Sequence, residues 1–469
     1  MSCDKAVQTY EIDIINEMEN IQNESDSEDD SSETNTMPLY DRMSDSDQSE
    51  LIESIHVLID EYMEGFVLKM SNPDFHTEFV EDICHVLFQQ LTDVNICKDT
   101  DYDELYSIVA YYCDCYNKEN LHCPLRHVPH QVDNLYELEY GLDNDFIREH
   151  IAKKIQELRE KDELSPKQRS KEWFERRYNM MTASNMWQLL GSDAQRNRFI
   201  YDKCKPLSLD IVESKWVNTE GSLHWGVKYE PLTTMVYEKM TGGKVELFGC
   251  IQHSEHSFIG ASPDGIITNP ESPLYGRLVE IKNIYNREMD GIPSEAYWIQ
   301  IQIQLECCDL DFCDFVETRF KEYDSEESYL AEPDDERIRG IILHMVPRDG
   351  KSNIPLYQYM PLDTENKDIW IEDTKRAVEE TYVTYNTIYW YLDDIQMTTI
   401  TKNEKWFSAA LPHFKNSWAT IQNERVIGYE HRAPKKRTPT EVIVVDSETT
   451  APNPHNICVI KLSDEDILT

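Results

Sequence analysis

Asp264, Glu280 and Lys282 are the residues of this sequence whose types and spacing could do chemistry. They lie in GASPDGIITNPESPLYGRLVEIK, residues 260–282. A strand turns successive side chains to opposite faces. Val279 and Ile281 therefore point into a core, while Glu280 and Lys282 lie side by side on the other face. An Asp and a Glu that meet at a strand end can hold a hard divalent cation. A neighbouring lysine can then position or polarise a water, which is the apparatus of metal-assisted phosphodiester hydrolysis. The same residues would equally serve a surface turn followed by an edge strand with a salt-bridged face. Pro-Asp recurs at Asp74 and Asp334, and Glu-x-Lys at Glu213-Ser214-Lys215, the latter in a polar stretch with no Pro-Asp shortly before it. The set at 264–282 combines order, spacing and an apolar strand.

The flanks must position these groups. KVELFGCIQHSEHSFIGASPDG reads as two strands with a hairpin-like turn around Ser254-Glu255, leading directly into Asp264. HWGVKYEPLTTMVYEKMTGG reads as a helix, with Trp225, Tyr229, Val236 and Met240 apolar at helical spacing and Gly242-Gly243 as its end. Glu230 precedes Pro231, so its backbone is restricted. The helix starts or kinks there and aims the carboxylate, or the carboxylate merely faces solvent near a helix start. SEAYWIQIQIQLECC predicts a helix with Gln300 and Gln304 at i, i+4 on one face, although its Gln/Ile alternation also fits a strand. DFCDFVETRF and IRGIILHMV predict strands, 322–336 a surface loop, and 367–392 and 403–422 helices.

Between Lys153 and Arg177 nine basic residues stand against six acidic ones, a local excess in a chain of net charge −44. RSKEWFERRYNMMTASNMWQLLG follows, with Thr182-Ala183-Ser184 opening a helix over 183–190. Backbone N–H groups and a hydroxyl at a helix start suit an anion, and Arg176 or Arg177 could grip a phosphate. A capped helix with surface arginines explains the same residues.

The composition is that of a globular chain, 40% hydrophobic and 10% aromatic, long enough for two or three domains. Residues 1–50 carry 15 acidic and 2 basic side chains, too polar to fold alone. The acidic balance argues against coating of bulk nucleic acid and against anionic membranes. No apolar run reaches the roughly 18–20 residues of a membrane span, and no signal peptide is visible. Twelve cysteines without a disulfide-like framework imply a reducing intracellular compartment. Cys113, Cys115 and Cys123, with nearby histidines, could hold zinc, but the spacing is irregular and buried thiols explain it better.

In order along the chain, RSKEWFERRYNMMTAS, HWGVKYEP, GASPDG, VEIK, AYWIQIQIQL and CDFVETRF resemble the lambda-exonuclease-like (YqaJ-type) branch of the PD-(D/E)xK nucleases, in versions encoded by large DNA viruses of eukaryotes. The resemblance covers residues 169–316. It implies an α/β restriction-endonuclease-like core, a mixed central sheet flanked by helices, over 164–428. An N-terminal helical module (49–163), a disordered acidic tail (1–48) and a flexible C-terminal tail (429–469) would be additions. By motif it implies Glu230, Asp264 and Glu280 as ligands of one or two Mg²⁺ (or Mn²⁺) ions. Lys282 would orient the attacking water, Gln300 and Gln302 would line the site, and Arg177 and Ser184, with Arg176 beside them, would grip a 5′-phosphate. The implied activity is a 5′-to-3′ exonuclease on double-stranded DNA ends, serving recombination, repair or genome processing, with a ring trimer and a single-strand annealing protein as partners. An endonuclease of the same fold, or a non-catalytic adaptor for DNA ends, are the alternatives. Pro434-Lys435-Lys436-Arg437 resembles a nuclear import signal. VIVVDSE (442–448) and VIKLSDED (459–466) resemble SUMO-interacting motifs, so SUMO-modified partners and a nuclear or viral replication site are expected, and no membrane.

Overall fold

The computed structural model describes residues 37–120, 145–168, 170–207, 217–219, 221–333 and 337–433. The helices are α1 (Leu39–Arg42), α2 (Asp45–Gly65), α3 (Phe75–Asp93), α4 (Tyr102–Asn120), α5 (Asp145–Glu163), α6 (Lys171–Tyr178), α7 (Ala183–Met186), α8 (Asp193–Cys204), α9 (Ser222–Thr241), α10 (Glu295–Cys308), α11 (Glu326–Ala331), α12 (Lys367–Val378) and α13 (Glu404–Ile427). The strands are β1 (Met181–Thr182), β2 (Val245–Glu246), β3 (Ile251–Gln252), β4 (Ile259–Ala261), β5 (Gly265–Ile267), β6 (Leu278–Asn283), β7 (Phe312–Glu322), β8 (Arg339–Pro347), β9 (Leu356–Tyr359) and β10 (Tyr382–Thr401).

Seven strands form one mixed sheet in the order β2-β5-β6-β7-β10-β8-β9, and β1-β4-β3 form a smaller one. The β6/β7 pair is parallel and its neighbours are antiparallel. A parallel pair needs a crossover, usually a helix. Here α10, the helix expected from SEAYWIQIQIQLECC, supplies it, started by Ser294, whose side chain accepts the Tyr297 N–H. That crossover lays α10 over β6, so β6 is buried on both faces, with Val279 and Ile281 in a core on one side.

Four expectations change. Helix α1 begins at Leu39, inside the expected tail: the main-chain N–H groups of Leu39 and Tyr40 donate to Glu104 at 2.6 and 3.0 Å. The stretch 322–336 contains α11, opened by Ser325. The expected helix over 367–392 ends at Val378 and gives way to β10, a 20-residue strand between β7 and β8. Past residue 428, Arg432 stays tied to the body through Glu424 and through Asn197 at 3.0 Å. The basic cluster at 434–437, both SUMO-like segments and the N-terminal 36 residues lie outside the described residues.

The N-terminal helices do not stand apart. Ile59, Phe79 and Val109 share one continuous core with Trp298 of α10 and Trp406 of α13. The last two pack edge to face, centroids 5.2 Å apart. Ser71 donates to Glu295 at 3.0 Å across the same boundary. None of the described helices is long and apolar enough to cross a membrane.

Candidate active site

The turn after β4 delivers Asp264 to the first residue of β5, where Gly265 pairs with Val279 of β6. A Cβ on Gly265 would lie 2.1 Å from Val245 Cγ1, so β2 can approach this closely only because the residue after Asp264 is glycine. Asp264 Oδ2 accepts the Ile281 N–H at 2.8 Å, which fixes its carboxylate beside Glu280.

Glu280 is 1% exposed. Its Oε1 accepts from the Lys282 ammonium and from Gln300 Nε2, the latter at 2.6 Å; its Oε2 accepts from Gln304 Nε2 at 2.7 Å. Lys282 also lies 4.9 Å from the Tyr297 ring centroid. Burial, reinforced by the Glu280 charge and by Glu230, pushes the Asp264 carboxyl well above the usual range, against Lys282 and the Ile281 N–H. Burial alone would lower the Lys282 ammonium, but Glu280 and Asp264 overcome it and hold it above its ordinary value. Glu230 is exposed on α9, which runs through Pro231 from Ser222 instead of starting there.

The helix spacing decides which glutamines take part. Gln300 and Gln304, one turn apart on α10, both reach Glu280. Gln302 points elsewhere, as a residue two positions along a helix must. It is fully buried, donates to the Thr401 carbonyl at 2.8 Å and accepts the Asn403 N–H at 2.7 Å, bridging the end of β10 to the start of α13. Gln302 is therefore corrected from a site-lining to a bracing residue, and Gln304 takes its place. The i, i+4 spacing is the signal that finds it. Gln304→Ala is expected to slow any cleavage by about 10–100-fold, beyond whatever stability its hydrogen bond to Glu280 contributes. Gln302→Ala should lower stability first. Initial rates and urea melts on the two variants would separate these roles.

Do the residues fit a cation? Their donors are carboxylate oxygens, which suit Mg²⁺ or Mn²⁺. Two observations favour one: burial, together with the Glu280 charge, raises the Asp264 pKa, and Gln304 Oε1 is a buried acceptor with no hydrogen-bond donor among the described residues. Among the described residues no three acids, imidazoles or thiolates converge into a ready cage. Mg²⁺ does not need one, since it keeps several waters and binds through one or two carboxylates plus substrate phosphate.

The zinc reading has no such support. Cys113 is buried on α4, and Cys115, two residues on, faces the other side of that helix. Cys123 lies outside the described residues.

The second cluster is basic. Lys203 donates to the carbonyls of Arg177 and Met180 at 2.8 and 2.6 Å, and Arg425 to those of Tyr178 and Lys203 at 2.8 and 2.7 Å. The two cations satisfy the carbonyls ending α6, where cations are favourable, and hold Arg177 against the Trp173 ring at 4.6 Å. Among the described residues none of these three cations has a carboxylate within 4 Å. Burial, Arg177 and Arg425 press the Lys203 pKa down to about 8. Ser184 is exposed on α7, just past β1. β1 pairs with β4, the strand that leads to Asp264, so one small sheet links the segment after Arg177 to the segment before Asp264. Arg176 is turned away to the Ser165 hydroxyl at 2.7 Å, as expected of the next residue round a helix.

Residues 172–311 match the model of the YqaJ-like viral recombinase domain. That matched region contains every residue of the acidic cluster, as well as Arg177, Ser184 and Lys203; Arg425 lies beyond it. An uncharacterised protein of Acanthamoeba polyphaga mimivirus is 29% identical over 334 residues, covering 62% of this chain and 58% of that one. The chain thus spans a little over half the length of this curated relative. Solved structures also match, among them these two. The LHK-Exo complex with dAMP has 19% identity and a TM-score of 0.32, over 55% of this chain and 94% of that one. The alkaline exonuclease LHK-Exo from Laribacter hongkongensis has 18% identity and a TM-score of 0.31, over 56% and 95%.

Proposed function

We propose that the protein is a divalent-metal-dependent DNA exonuclease that digests one strand of duplex ends from the 5′ side, in recombination or genome processing. The observation that carries this reading is the Asp264–Glu280–Lys282 cluster, closed over by two glutamines that donate to Glu280. Asp264 and Glu280 would hold the ion, with Glu230 contributing. When bound, the ion would neutralise the phosphodiester and lower the pKa of an attacking water. Gln300 and Gln304 hold the Glu280 carboxylate in one orientation. Lys282 keeps its proton, and its charge lies where negative charge develops in the transition state.

Arg177, braced by Lys203 and Arg425, supplies the 5′-phosphate contact, with the Ser184 hydroxyl nearby. A terminal phosphate carries more charge than an internal phosphodiester, so it gains most from uncompensated cations. Arg177→Ala is expected to lower the rate on 5′-phosphorylated ends about tenfold or more and to leave the rate on 5′-hydroxyl ends nearly unchanged. Equal loss on both ends would count against the phosphate pocket. Covalently closed circular duplex should resist digestion until it is nicked or cut; linearisation by the protein itself would make it an endonuclease. The same reading extends to a ring trimer, which a solution mass measurement would test.

A further inference from the structure

The cleavage chemistry leaves unused a cleft of about 380 Å³. Five of its eleven lining residues carry rings, Trp225, Tyr285, Tyr357, Tyr385 and His344, with Lys228 and Glu322 among the others. Tyr285 is 62% exposed and Tyr385 72%. Rings of this size are usually buried at least in part, and exposed ones gathered in one place mark interaction sites.

The backbone is shaped to put them there. Strand β10 pairs with β8 at Thr384↔Met345 and resumes at Asn386↔His344. Tyr385 is therefore the extra residue of a β-bulge, a device that re-aims a side chain. Its ring stands 5.0 Å from His344, which is 4.9 Å from Tyr357. On the other wall Tyr285 meets Trp225 edge to face at 5.0 Å. That wall is tied to the acidic cluster. Asn283, next to Lys282, donates to the Gly226 carbonyl at 3.2 Å. Trp225 and Glu230 share α9, about 7.5 Å apart along its axis.

We propose that this cleft stacks unpaired nucleobases of the DNA strand passing the Asp264–Glu280–Lys282 cluster; the inference rests on the nuclease reading above. Charge favours a base here over a phosphate. Lys228 lies 4.7 Å from the Trp225 and Tyr229 ring centroids, but Glu322 neutralises it at 2.6 Å and would repel an anion. The rings offer flat faces instead. Stacking is sequence-tolerant because every base has a π-face, which suits an enzyme that must digest any sequence. A base taken from its partner loses stacking in the duplex, and a protein ring replaces it.

The test is fluorescence anisotropy of the full chain with a labelled oligothymidylate and with a strand of equal length made of abasic sites, both in EDTA so that nothing is cut. The wild type should bind the base-bearing strand about tenfold more tightly. The double variant Tyr285→Ala/Tyr385→Ala should lose most of that preference and bind the abasic strand as the wild type does. Equal binding of the two strands by the wild type overturns the proposal. So does a double variant that keeps the preference, which would leave the cleft to an aromatic segment of a protein partner. Cleavage of end-labelled duplex in Mg²⁺ by the same preparations separates the two readings. A wild type that cuts DNA without base preference refutes the stacking site alone; one that prefers bases without cutting refutes the nuclease and keeps the site.

Discussion

Asp264→Asn is expected to abolish metal-dependent cleavage and, in the same protein, to raise the melting temperature without metal at pH 8. The first effect follows if Asp264 holds the cation as proposed: losing that ligand should cost more than the roughly 100-fold typical of an outer partner. The second follows from the electrostatics of the cluster. Burial and the neighbouring Glu280 hold the Asp264 pKa above its usual value. A carboxyl raised in the folded state costs stability when ionised. That cost is absent below about pH 3.9, the ordinary Asp value, grows as pH rises towards the folded pKa, and is complete above it. Asparagine carries no charge at any pH and can still accept the Ile281 N–H. The gain should therefore be about 2 °C or more at pH 8 and vanish near pH 4. Mg²⁺ should reverse the order, since it stabilises the form that binds it. Melting curves at pH 4, 6 and 8, each in EDTA and in Mg²⁺, check all three statements. A variant less stable than wild type at pH 8 in EDTA would contradict the charge argument.

Trp390→Ala should be the most damaging single truncation in the sheet. Trp390 is fully buried at the middle of β10, edge-on to Phe320 at 5.4 Å. Its β8 partner is Gly340, where a Cβ would lie 2.9 Å from the indole. The ring fills the space that glycine leaves, so truncation opens a cavity that nothing nearby can close. A loss of about 3–5 kcal/mol is expected, seen as a lower urea midpoint at unchanged slope. Gly340→Ala should cost about 1–3 kcal/mol by overpacking the same contact. A Trp390→Ala loss under about 1 kcal/mol would mean that the strand relaxes around the gap.

This strand also marks where sequence reading stopped working. The helical pattern from Lys367 is real as far as Val378. It runs into β10 across Glu379, Glu380 and Thr381, with no glycine or proline to punctuate the change. The tyrosines, threonines and isoleucines of 382–401 do favour a strand, but their burial depends on β7 and β8, which are distant in sequence. The acidic cluster was easier to read, because Asp264, Glu280 and Lys282 sit on short elements whose alternation fixes their faces. Gln304 shows the opposite error: helical spacing identified it, and motif resemblance replaced it with Gln302. Lys203 and Arg425 carried no local signal, since they meet Arg177 only after α8 and α13 pack together. Nor could the sequence reveal that Ile59 and Phe79 complete the core beneath α10, because that contact joins segments more than two hundred residues apart.

Whether Asp264, Glu280 and Lys282 form the proposed metal-dependent phosphodiester-cleaving site is decided by incubating the purified full chain with end-labelled linear duplex DNA, in Mg²⁺ and in EDTA, alongside Glu280→Gln. Progressive loss of nucleotides in Mg²⁺ is expected, with none in EDTA and none from the variant. Intact DNA in Mg²⁺, or equal digestion by Glu280→Gln, would contradict the proposal.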